Sequence, residues 1–115
     1  MTRGRAHLVK ISGDAGLRAA QDIALSLRQA LAGHGRVAIA TEGVTGADLT
    51  TIQLLLAASK QAQASGKSLA LTAPPAGSLR DLLIDVGCLD ADGLPLTPES
   101  AFFTQVAPPA EGKPA

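Results

Sequence analysis

Compact apolar blocks alternate along the chain with longer stretches in which apolar residues recur every three or four positions. The first block, "AHLVKIS" (6–12), carries Leu8, Val9 and Ile11 and closes on Ser-Gly-Asp, so it predicts a short strand ending in a turn. From Leu17, apolar residues recur at Ala20, Ile23, Ala24, Leu27, Ala30 and Leu31, which predicts a helix from Leu17 to Ala32 ended by Gly33 or Gly35. "RVAIAT" (36–41) lacks polar alternation, as a central strand covered on both faces would. After "EGVTG", the stretch "GADLTTIQLLLAA" places Leu49, Ile52, Leu55, Leu56 and Ser59 or Ala62 on one helical face, predicting a second helix to about Ala64. Ser65-Gly66 stops it, and "KSLALT" (67–72) predicts a third strand. "APPAGS" is a loop, because paired prolines break a ladder. Ser78 is placed to cap a third helix, "LRDLLIDVG", with Asp81 three residues on, Leu79, Leu82, Leu83 and Val86 facing inward, and Gly87 at its end. "LDADGLPL" predicts a turn and an edge segment, and Thr97-Pro98-Glu99 the start of a short last helix.

Strand and helix alternate three times, which predicts an α/β fold: a small, mostly parallel sheet of about four strands with helices packed against it. At 115 residues, of which 46% are hydrophobic and 17% charged, the chain suits one folded domain. We place it at 6–106, between a flexible N-terminus (1–5) and a disordered tail, "APPAEGKPA" (107–115).

Charge and composition narrow the function. Ten basic residues balance ten acidic ones, Arg3 and Arg5 are the only basic cluster, and Phe102 and Phe103 are the only aromatics. Nucleic acid is therefore not an expected partner. The longest apolar run, Ile52 to Ala58, is broken by Gln53 and is far shorter than the roughly 20 residues of a membrane span, so direct membrane insertion is not expected. The first residues lack the apolar region of a signal peptide, and the single cysteine, Cys88, suits a reducing compartment, so the expected location is the cytoplasm.

Reactive motifs are few. "SGKS" (65–68) copies the end of a phosphate-binding loop, but Gln61 stands where that loop needs glycine, and the segment leaves a helix instead of entering one. His7 and His34 have no helical partner for a metal, Cys88 has no placed base, and no Gly-x-Ser-x-Gly elbow exists. Asp14, Asp22, Asp81, Asp85, Asp90 and Asp92 read as turn, cap or solvated residues. No catalytic residue, metal ligand or cofactor is assigned, which makes a small α/β enzyme or ligand binder the least favoured reading.

The start of the second helix is the remaining feature. Asp48 or Thr50 can accept a hydrogen bond from a free first-turn amide, and Thr50 with Gln53 has the spacing of a reciprocal capping box. The segment also follows a central parallel strand, where ligands and partners of such sheets tend to meet the loops.

With the strand "RVAIAT", the linker "EGVTG", Asp48 opening an apolar helix, and "SLALTAPPAGSLRDLLIDVGCL" closing the domain, the chain resembles a STAS domain over residues 6–89. Anti-sigma-factor antagonists and sulfate-transporter tails share that fold. The resemblance implies a non-catalytic regulatory module that docks on a kinase, an anti-sigma factor or, from the variant "ADLTTIQLL", a chemotaxis component. It implies a contact surface at Asp48, Leu49, Thr50, Thr51 and Gln53. Leu49 occupies the position of the family's phosphorylatable Ser/Thr, and Thr51 that of its glycine, so phosphorylation at the standard position is chemically impossible. Thr50 and Thr51 are the neighbouring hydroxyls that remain for a kinase. A second implied role is an accessory subunit on the ATPase of a lipid-transporting ABC system, and assembly into an oligomer is compatible with either. The family usually opens with two strands, whereas this chain shows one.

Overall fold

The three apolar blocks become three parallel strands in a computed structural model of the chain, which describes residues 6–106. β1 (His7–Asp14), β2 (Arg36–Gly46) and β3 (Ser68–Leu71) lie in the order β1-β2-β3, so the block without polar alternation is central. Its Val37, Ala38 and Ile39 are all buried, as a strand covered on both faces requires. α1 (Ala20–Gly33) connects β1 to β2, α2 (Leu49–Ala64) connects β2 to β3, and α3 (Gly77–Asp85) follows β3. The fold is α/β, with a small parallel sheet of three strands and helices packed against it. Among the described residues the ladder has three strands, not about four, and beside β3 a single parallel bridge joins Leu71 to Val106. The expected flexible N-terminus and disordered tail lie outside the described residues.

The register explains one departure from the sequence pattern. Facing residues run His7↔Val37 and Val9↔Ile39 on one side, and Val37↔Leu69 and Ile39↔Leu71 on the other, so large side chains line up in rows across the sheet. Beyond Lys10↔Ala40 the pairing slips to Ser12↔Gly43, so β2 uses three residues where β1 uses two. This bulge carries β2 through "EGVTG", which the pattern alone makes a linker. Gly43 is required there, since a Cβ at that position would lie 2.9 Å from the Cβ of Ser12.

The helices bury the faces their spacing predicts. Ile23, Leu27, Ala30 and Leu31 of α1, and Ile52, Leu55, Ala58 and Ala62 of α2, join Ile11, Val37, Ile39, Leu69 and Leu71 in one core. Leu79 and Leu83 of α3 complete it with Phe102 and Phe103. Both phenylalanines lie in a 3-10 helix (Glu99–Thr104) with Pro98 as its N-cap, and just ahead of it the Thr97 hydroxyl accepts from the Ser100 amide at 3.3 Å. Phe103 is fully buried and meets Phe102 edge-on.

Element ends correct several expectations. Leu17 begins a short 3-10 turn (Leu17–Ala19) ahead of α1 and faces solvent. Val86 is exposed, because α3 has already ended when the chain reaches it. Ser78 does not cap α3: the N-cap is Ala76, and the Ser78 hydroxyl donates to the Thr45 carbonyl at 2.9 Å instead. "LDADGLPL" forms a tight turn closed by an antiparallel bridge between Leu89 and Pro95.

Candidate functional site

Asp48 leaves β2 in an extended conformation (φ −139°, ψ −174°) and becomes the N-cap of α2. Its Oδ1 accepts from the amides of Thr50 at 2.9 Å and Thr51 at 3.4 Å. The Thr51 hydroxyl accepts in return from the Asp48 amide at 3.1 Å. The reciprocal box is thus Asp48 with Thr51, not Thr50 with Gln53. The cap is the last residue with extended backbone, and that residue comes two positions before Thr50.

The cap also binds a second element. Oδ2 of Asp48 accepts from the Leu17 amide at 3.0 Å, and the Thr51 hydroxyl donates to the Ala15 carbonyl at 2.8 Å. Two side chains therefore fasten the β1–α1 connection to the start of α2. Gly16 makes room for this bracket: a Cβ there would lie 2.6 Å from Oδ2 of Asp48 and 3.2 Å from Oδ1 of Asp14. Asp14 in turn accepts from the Gly16 amide at 3.0 Å.

The electrostatics follow from these donors. The Leu17 amide holds the Asp48 carboxyl below the ordinary aspartate range, desolvation opposes it, and the Thr50 and Thr51 amides with the Thr50 hydroxyl add to the lowering. A carboxylate at a helix N-terminus also meets the positive end of the helix dipole.

The five predicted contact residues separate into two sets. Thr51 is 3% exposed, and its hydroxyl is fully engaged, so it supports the site from inside. Thr50 is half-buried, whereas Asp48, Leu49 and Gln53 are exposed. Leu49 is 54% exposed, which removes it from the buried stripe to which its spacing assigned it. Leu17, absent from the predicted set, is 70% exposed and bound through its amide to Asp48. A helical stripe starting at Leu17 hides this, and no local signal shows that its side chain turns outward.

A family model described as "Mlab, STAS domain" matches residues 2–94. The chain belongs to the STAS family. No curated protein matches it. In this STAS domain the bracket sits at the start of α2, and Leu49 follows the cap directly. STAS domains are in general non-catalytic.

Other parts of the domain carry little chemistry. His7 and His34 stack with ring centroids 4.0 Å apart and planes 4° from parallel. Ring-nitrogen lone pairs lie in the ring plane, so two stacked rings cannot aim at one metal ion. Among the described residues no group of three or more His, Cys, Asp or Glu is arranged to hold a metal. "SGKS" spans the step from α2 to β3, and Lys67 donates to the Leu31 carbonyl. A groove of about 320 Å³ between α2 and the 3-10 helix is lined by Leu56, Ser59, Lys60, Gln63, Glu99 and Phe102 among others. None of the five predicted contact residues lines it. No described helix is long and apolar enough to cross a membrane.

Proposed function

We propose that this STAS domain is a non-catalytic regulatory module that docks on a signalling partner through the start of α2. The partner class is a kinase, an anti-sigma factor or a chemotaxis component, and the site works in the cytoplasm. The bracket carries this reading: beyond the carboxyl end of the central strand, where partners of parallel sheets tend to meet the loops, it ties together two backbone segments that each carry an exposed leucine, Leu17 and Leu49. Leu49 has no hydroxyl, Thr51 is buried, and Thr50 adjoins the Asp48 carboxylate, where an added phosphate would meet like charge. We therefore read binding as independent of the family's usual switch position, with Thr50 the one hydroxyl of the set left accessible to a kinase.

A second reading keeps the surface and changes the partner. The matching family model carries the name Mlab, and in this reading the domain is an accessory subunit docked on the ATPase of a lipid-transporting ABC system.

Titration calorimetry against the purified products of neighbouring genes tests both readings. Leu49→Asp should weaken binding at least about tenfold, the effect of removing a central apolar contact, while circular dichroism stays unchanged. Undiminished affinity in that variant removes the surface from consideration. Intact-mass measurement after incubation with a candidate kinase should show no added phosphate in a Thr50→Val variant, and phosphate on that variant would overturn the reading that Thr50 is the one accessible hydroxyl of the set.

A further inference from the structure

Parallel strands bring their amino ends together, and here the two ends of the sheet differ in charge. His7, Arg36 and Lys67 stand at the amino ends of β1, β2 and β3, with His34 just past α1. Asp14 ends β1, Glu42 lies in the last part of β2, Asp48 caps α2, and Asp22 lies in the first turn of α1. Within the two segments that build the bracket, residues 14–23 and 42–53, Arg18 is the single basic residue; from outside them Lys10 lines a groove with Asp22, and the Thr72 hydroxyl donates to Glu42 at 3.4 Å. Asp14 and Asp48 crowd the same point beside Gly16. Leu17 and Leu49 are exposed within this acidic ground, and the Asp48 carboxylate links the backbone of one to the helix start that carries the other.

We propose, resting on the docking function above, that the protein partner offers an apolar pocket for Leu17 and Leu49 and a rim of Arg and Lys facing Asp14, Asp22, Glu42 and Asp48. Charge complementarity selects this occupant. An anionic membrane or a nucleic acid is repelled by these carboxylates, and a small cation has no use for two leucines. A basic-rimmed pocket uses both features, with the apolar centre supplying affinity and the charges supplying rate and orientation. Leu17 becomes a contact residue from outside α2. The bracket holds both leucines before the partner arrives, which lowers the ordering cost of association.

Photo-cross-linking with the full chain in its native cell tests this, using benzoylphenylalanine in place of Leu17, Leu49 or, as a control, the exposed Leu94. Positions 17 and 49 should give the same adduct and position 94 none, and the partner peptide attached should combine apolar residues with Lys or Arg. Adding Asp22→Lys and Glu42→Lys, both outside the bracket, should lower adduct yield about tenfold, as reversed rim charges do. Unchanged yield in that variant, or an acidic partner peptide, overturns the proposal. An adduct from position 94 alone overturns it while leaving a docking function in place, and no adduct from any position overturns both.

Discussion

Thr51 concentrates the most structure into one hydroxyl, because it accepts from the cap residue and donates to the Ala15 carbonyl while almost wholly buried. Thr51→Val keeps the shape and leaves both partners unsatisfied, which should cost about 1–3 kcal/mol in urea unfolding, whereas Thr51→Ser should recover most of it. Asp48 has a distinct signature. Its folded carboxyl titrates below the ordinary range, so it adds stability when ionised in both states and loses that contribution as pH falls through its depressed value. The gap in stability between the native chain and Asp48→Ala should therefore be widest near neutral pH and close in acid, as a series of denaturation curves against pH would read. A gap independent of pH would show that the ionised form is not what the cap requires.

Within the elements, periodicity was a good guide to interiors and a poor one to ends. Ile23, Leu27 and Leu31, or Ile52 and Leu55, are buried where spacing puts them, because a regular helix fixes which side chains share a face. Leu17, Leu49 and Val86 break the pattern, since each sits where regular backbone starts or stops and the face is no longer defined. The site was legible in part. Asp48 as a cap follows from residue type, but its bonds to Leu17 and Thr51 depend on which residue is extended and on a loop more than 30 positions away, which no local pattern encodes. The last 3-10 helix shows the opposite case, in which a short element with weak local propensity is held by what it buries. Phe103→Ala should cost about 3–5 kcal/mol, measured by thermal or urea unfolding, since the side chain is wholly enclosed.

Taken whole, the molecule has no net charge, yet His7, Arg36 and Lys67 flank the amino ends of its strands while Asp14, Glu42 and Asp48 lie toward the carboxyl ends of β1 and β2. Zero net charge therefore does not mean a neutral surface toward a partner. If docking uses the acidic end, the association rate should fall several-fold between about 50 and 300 mM salt while dissociation changes little, as stopped-flow mixing would show. A salt-independent rate would place the contact elsewhere.

The bracket at Gly16 has a consequence in time as well as in space. Its bonds join Asp48 to Leu17, 31 residues earlier, and Thr51 to Ala15, 36 residues earlier. A cap that belonged to α2 alone could form as soon as the helix nucleates, but this one is complete only after β1, α1 and β2 have come together. Its contribution should be absent from the folding transition state, so Thr51→Val should leave the refolding rate nearly unchanged and speed unfolding. Read this way, the joint beneath the exposed leucines is a late lock on the first crossover, and what it governs is how long the folded chain lasts.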